Sequence, residues 1–167
     1  MNLSGIRQLT VIVIGLLLCA QVQAAAVDQA DGRLRALAER WLTLLDSKAT
    51  DSQAYAPLLA STPLDLQLLE GNASTLIELG QLLDARFEDV DSSQHRIEYF
   101  SVKQLAPGLH QLSMVVDWRL LSGGLTEIAS LDLRWRVRTA ADGSLRIEQI
   151  RERYLAPIQG MGARIKC

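Results

Sequence analysis

His110-Gln-Leu-Ser-Met-Val-Val-Asp-Trp-Arg-Leu-Leu-Ser122, then Gly123-Gly124, then Leu125-Thr-Glu-Ile-Ala-Ser-Leu-Asp-Leu-Arg-Trp-Arg-Val-Arg138 is the stretch whose reading decides the fold. Its apolar residues recur every second position. Leu112, Met114, Val116, Trp118 and Leu120 share one face of an extended chain, and Ser113, Val115, Asp117, Arg119 and Leu121 take the other. Past the Gly-Gly turn, Ala129, Leu131, Leu133, Trp135 and Val137 point one way while Ser130, Asp132, Arg134, Arg136 and Arg138 point the opposite way. That is a long β-hairpin. A strand over Arg96–Leu105 enters it through Pro107-Gly108, and a turn at Ala140-Ala-Asp-Gly143 leads out into a last strand, Leu145–Tyr154.

Upstream the period changes to that of a helix. Leu34, Leu37, Ala38, Trp41, Leu44 and Leu45 form an apolar stripe behind the N-cap candidates Asp28 and Asp31. Thr50-Asp-Ser52 can cap a short second helix carrying Tyr55 and Leu58, limited by Pro57. Leu64–Leu68 alternates like a strand, but Thr62-Pro63 is also a helix start, so the stretch reads either way. A third helix is predicted from Ser74 to about Asp89, with Leu76, Leu79, Leu83, Phe87 and Val90 on one face. Gly80 on that face either loosens it or admits another backbone. Asp89–Gln94 reads as a polar loop.

At 167 residues the chain has the length of one domain with a single core. Its net charge of −2 argues against nucleic-acid binding by bulk electrostatics. Met1–Ala24 reads as a signal peptide. Arg7 is its positive end, Leu9–Ala20 its apolar run, and Val22-Gln-Ala24 its cleavage site. Cleavage after Ala24 leaves 25–167 as the mature domain, periplasmic or secreted, with no membrane attachment. Two rival readings remain. The apolar run is short for a retained anchor, which needs about 20 residues, and Leu18 stands where a lipoprotein leader ending at Cys19 wants a small residue. With Cys19 removed, Cys167 is the last thiol, so no internal disulfide forms. It is an exposed thiol, an intermolecular bridge or a frayed tail without a role.

Helices followed by long antiparallel strands make an α+β fold with a curved sheet wrapped around the N-terminal helices. On that order of elements the chain resembles the nuclear transport factor 2-like (SnoaL-like) superfamily. The resemblance is carried by Arg40-Trp-Leu-Thr-Leu-Leu-Asp46 with Tyr55-Ala-Pro-Leu58, and by Leu131-Asp-Leu-Arg-Trp-Arg-Val137, Ala141-Asp-Gly143 and Leu145-Arg-Ile147, similar to that superfamily's closing hairpin. It covers nearly all of the mature chain. It implies a cone-shaped, cystatin-like domain with an apolar pocket between sheet and helices, lined here by Trp41, Tyr55, Leu83, Phe87, Met114, Trp118 and Trp135. Members include isomerases, dehydratases and epoxide hydrolases, and also non-catalytic binding, dimerisation and secretion-assembly domains. A homodimer through the sheet face is a further implication.

The residues available for chemistry are few. His95 and His110 read as solvated loop and turn residues with no base partner. The chain has no close metal-ligand spacing, no nucleophile elbow and no complete phosphate loop, Gly160-Met-Gly162 lacking the third glycine. No metal or cofactor is expected. A pocket carboxylate or tyrosine is what the resemblance implies for a catalytic member, and Asp117, Tyr55 and Tyr99 are the candidates. Alternation disfavours Asp117, which falls opposite the Met114–Trp118 stripe, and Asp132 falls the same way. The three tryptophans read as core. Arg134, Arg136 and Arg138, joined by Arg119, form a basic stripe that Asp132, Glu148 and Glu152 can offset across the ladder. The preferred reading is a non-catalytic binding domain for a small apolar ligand or protein partner. A lyase or isomerase and an envelope-complex assembly domain are the alternatives.

Overall fold

The computed structural model describes residues 30–61 and 63–155, and the backbone of 159–160. The leader, Cys19, Cys167 and most of Gly160-Met-Gly162 lie outside the described residues. The chain divides into two compact units at Ala36/Leu37. Of the first, residues 30–36 are described, and they are helical. Everything below concerns the second, from Leu37 onward.

A helix, α1, occupies residues 37–46. In the second unit it buries Leu37, Ala38, Trp41, Leu42 and Leu45, one stripe at helical spacing. It ends at Lys48, whose φ of 53° is the left-handed conformation usually left to glycine. The Lys48 and Ala49 amides then return to the carbonyls of Leu45 and Leu44. The lysine's own ammonium donates to the carbonyls of Val90 and Asp91 at 2.9 and 2.8 Å, fastening the helix end to a loop 42 residues on.

Where a short second helix was expected, two 3-10 turns appear, Ser52–Ala54 and Ala56–Leu58, with Pro57 in the second. Leu64–Leu68 resolves in favour of a strand. β1 (Asp65–Leu68) pairs with β2 (Gly71–Ala73) as a tight hairpin and runs parallel to the last long strand. Helix α2 (Leu76–Phe87) opens on a capping box: Thr75 accepts from the Glu78 amide while the Glu78 carboxylate reaches back to the Thr75 and Ser74 amides. Those amide hydrogen bonds, Ser74's first, hold the Glu78 carboxyl below its usual range.

β3 (Ser92–Ala106) begins before the strand predicted from Arg96, so the polar loop after α2 is shorter than expected. β4 (Leu109–Ser122), β5 (Leu125–Thr139) and β6 (Leu145–Tyr154) follow as antiparallel neighbours, and β7 (Gln159–Gly160) pairs with β5. The sheet order is β2-β1-β6-β5-β4-β3. Bulges in β3 and β6 reset the alternation and add curvature. Cross-strand register sets out the inner face in rows. Phe100, Met114, Leu133 and Glu152 make one, and His95, Trp118 and Ala129 another. No described helix is long and apolar enough to cross a membrane.

The helices seat on this face through aromatics. Trp41 meets Tyr55 at 4.8 Å and Trp135 at 5.8 Å between ring centroids, both edge to face. Tyr55 is fully buried, its hydroxyl donating to the Ala49 carbonyl at 3.1 Å. Burial pushes that hydroxyl's pKa well up, with Arg86 only partly opposing.

Two outcomes follow. A raised tyrosine pKa contributes stability that is complete below the unfolded-state value, about 10, and fades as pH climbs toward the folded one. Tyr55→Phe is therefore expected to cost about 1 kcal/mol at neutral pH but to flatten the alkaline loss, as read by urea unfolding between pH 8 and 11. The backbone that Gly80 faces is that of Thr50, and it is not tight: a methyl group there would meet the Ser52 side chain and the Thr50 carbonyl at 3.6–3.8 Å, ordinary contact. Gly80→Ala is expected to stabilise by about 0.5–1 kcal/mol, raising Tm.

Candidate functional site

One patch of the inner face is polar, and it centres on Trp118. Its indole N–H donates to the Ser93 hydroxyl at 3.0 Å. The His95 ring lies parallel to it, 5.6 Å away and within 4°. His95 Nδ1 sits 2.6 Å from the Asp46 carboxylate in the last turn of α1. The imidazole is 1% exposed, and its Nε2 has no hydrogen-bond partner among the described residues. Asp46 is about one-third exposed and lines a cavity of about 610 Å3 with Gln94, Arg96, Asp117, Arg119 and Ile128; His95 borders it too, but its imidazole is almost wholly buried.

On the other side is Arg86 of α2. Its guanidinium is 5.6 Å from the Trp118 ring centre and almost wholly buried. It donates through Nε and Nη2 to Glu70, at 2.9 and 2.7 Å, and through Nη2 to Glu152 at 2.5 Å. Burial works to lower the Arg86 pKa, but the Glu152 and Glu70 carboxylates outweigh it and hold the charge in place. One cation against two anions leaves the trio at −1. Tyr154 pairs by register with Leu131 at the end of β6 but is exposed, and its hydroxyl pKa is raised first by partial burial and then by Glu70.

This arrangement departs from the sequence reading at several points. His95 is neither in a loop nor solvated: β3 begins early enough to place Ser93, His95 and Ile97 in phase, with His95 paired to Trp118. The missed base partner, Asp46, lies 49 residues away, beyond the reach of any motif. Glu152 does not offset the outer arginines, because it belongs to the inner face. Arg86 did carry a signal, since it stands among Leu79, Leu83 and Phe87 on the buried stripe of α2. Trp41, Tyr55, Leu83, Phe87, Met114, Trp118 and Trp135 are all buried. Trp41, Tyr55 and Trp135 meet in one aromatic cluster, and Trp118 stands apart from it in the polar patch. Asp117 lies on the outer face, accepting from the Ser130 hydroxyl at 2.8 Å. Asp132 is on that face too, but buried under Arg153 rather than free. Tyr99 is exposed, and His110 lies at the start of β4 just after the turn. Among the described residues no group of His, Cys, Asp and Glu is placed to hold a metal ion.

The trio can be taken apart selectively. Arg86→Met leaves two carboxylates facing each other without their cation and is expected to cost about 3–5 kcal/mol. Adding Glu152→Leu and Glu70→Gln should recover most of that loss in chemical denaturation, since no charge then remains unpaired.

No family model matches the chain, and no curated protein matches it in sequence. Solved structures do match in fold. A structure described as a putative scytalone dehydratase from Novosphingobium aromaticivorans aligns with TM-score 0.68 at 11% identity, over 86% of this chain and 93% of that one. A LinA-type hexachlorocyclohexane dehydrochlorinase from Novosphingobium barchaimii aligns with TM-score 0.69 at 9% identity, over 81% and 92%. A nuclear transport factor 2-like superfamily protein from Salmonella enterica aligns with TM-score 0.68 at 9% identity, over 84% and 99%. With its helices, its bulged six-strand ladder and these three alignments, the chain has the fold of the nuclear transport factor 2-like (SnoaL-like) superfamily.

Proposed function

We propose that the protein is an acid–base catalyst for a small molecule, with His95 as the base and Asp46 as the group that orients it. One observation carries this reading: a buried imidazole fixed through Nδ1 by a carboxylate, with Nε2 left unpartnered. A proton on Nδ1, donated to Asp46, leaves the Nε2 lone pair free to take a proton from a substrate carbon. Asp46 and the stacked face of Trp118 then stabilise the imidazolium. The leaving group on the neighbouring carbon departs with its bonding electrons and takes any proton it needs from solvent. Proton removal with loss of a leaving group is an elimination. The dehydratase and the dehydrochlorinase among the similar folds are both named for eliminations, which supports the class without naming a substrate.

The reading as a non-catalytic binding domain is favoured by a different observation. The seven residues expected to line an apolar pocket are all buried, and Trp41, Tyr55 and Trp135 are packed against one another. Enclosure of Nε2 means that a substrate must open the site before chemistry. Export through Met1–Ala24 to the periplasm, a homodimer through the sheet face and an envelope-complex role are further proposals. Sequencing the exported protein's N-terminus tests the first, with Ala25 as the expected start, and sedimentation tests the second.

Carbon-acid exchange in D2O separates the two main readings without a known substrate. A panel of small ketones and chlorinated hydrocarbons would be followed by proton NMR with the full mature protein. Deuterium incorporation is expected for at least one compound, falling by about 10²–10⁴-fold in His95→Gln and by less in Asp46→Asn. Exchange that persists in His95→Gln, or a compound that binds without exchanging, would favour the binding domain instead.

A further inference from the structure

The outer face of the sheet carries a second feature, independent of the His95 patch. On β5 and β6 the outward positions meet in register as Asp132 with Arg153, Arg134 with Arg151, Arg136 with Gln149, and Arg138 with Arg146. Six arginines thus stand on four neighbouring rungs of a chain whose net charge is −2. Two of those rungs oppose arginine to arginine, which destabilises a ladder rather than supporting it. Three carboxylates answer them from nearby: Asp132 for Arg153, Asp65 for Arg151, and Glu148 for Arg138.

Of the three arginines left over, Arg134, Arg136 and Arg146, the first borders a cavity. Beyond Gln67 the β1–β6 ladder stops, and a cavity of about 240 Å3 opens, lined by Gln67, Asp132, Arg134, Arg151, Glu152 and Arg153. Its two carboxylates are already engaged. Glu152 accepts from Arg86, and Asp132 accepts from Arg153 Nε and Nη2 at 2.7 and 2.6 Å. Arg151 is held in orientation by Asp65, through Nη2 to the carboxylate at 2.6 Å and Nη1 to the carbonyl at 3.1 Å. Arg134 reaches Asp132 only at 3.4 Å through Nε, so its two terminal amino groups carry no described partner. A fork of N–H donors beside a second, oriented guanidinium is the geometry that receives oxyanions.

We propose that this cavity is a binding site for a single phosphate- or sulfate-sized oxyanion, held by Arg134 with Arg151 and Arg153. The anion neutralises the opposed Arg134–Arg151 pair, which explains why a ladder tolerates that pair. The cavity holds such an anion with room beside it, so a free oxyanion and the terminal group of a small phosphomonoester both satisfy it.

Thermal unfolding of the full mature protein tests the site, with inorganic phosphate titrated against chloride at constant ionic strength. A saturable rise in Tm of about 2–4 °C is expected at several times Kd. In Arg134→Thr the rise should vanish, while Tm in chloride alone stays equal to or exceeds that of the parent, because the opposed charge is gone. Glycerol 3-phosphate, run in parallel, distinguishes the source: a tighter response than to inorganic phosphate identifies an esterified ligand, and an equal one a free anion. A lower Tm for Arg134→Thr in chloride would overturn the proposal, making Arg134 a structural partner of Asp132. So would an undiminished phosphate response in the variant, or no saturable response in the parent.

Discussion

A guanidinium sealed between two carboxylates ties this structure together. Arg86 comes from α2, Glu70 from the β1–β2 turn and Glu152 from the inner face of β6, so three separate elements meet at one charge. Removing such a charge from water costs several kcal/mol, and the two carboxylates do little more than offset that loss. The result is therefore geometric more than energetic. A rotation of α2 by one residue would carry Arg86 away from both partners and leave the buried Glu152 carboxylate without its cation, whereas a shift among apolar side chains would be tolerated. Trp118 lies against this fixed cation, His95 stacks on Trp118, and Asp46 fixes His95.

The end of α1 shows the same economy of placement. Lys48 accepts a left-handed backbone that most side chains avoid, and from there its ammonium gathers the Val90 and Asp91 carbonyls. Asp46 lies two residues before it, and His95 four residues beyond Asp91. The clamp and the imidazole–carboxylate pair thus join the same two segments, one through the main chain of β3's approach and one through a side chain. Holding two groups within hydrogen-bond reach by packing rather than by the bond itself is what an acid–base pair requires.

The two faces of the sheet divide the chemistry. Inward positions bring charges only where a partner from another element meets them, as with Arg86 and Glu152. Outward positions on β5 and β6 repeat arginine at alternate residues, which solvent permits and which no inner position would. A bulge in β6 between the partners of Arg136 and Val137 restores the alternation after Glu148, so that Ile147 and Ile150 both remain buried. Without it, half of β6 would present its arginines to the core.

By itself the sequence determined the strands, because period-two alternation from Leu112 to Val137 needs no partner to be read and one buried face forces the register. The helix stripes of Trp41 and of Leu79–Leu83 were legible for the same reason. It also placed Asp117 and Arg134 opposite the apolar stripe. What it left open, or had wrong, were features set by contacts between distant segments. Leu64–Leu68 became a strand only because β6 offered a parallel edge. His95 passed for a loop residue until β4 extended β3 by four residues. Glu152 was counted with the outer arginines because the β6 bulge, invisible in composition, shifts the phase. The pairing of His95 with Asp46, and of Arg86 with Glu70 and Glu152, was decided by tertiary structure alone. Local pattern encodes which face a side chain takes, whereas which charged group it meets depends on where the chain returns.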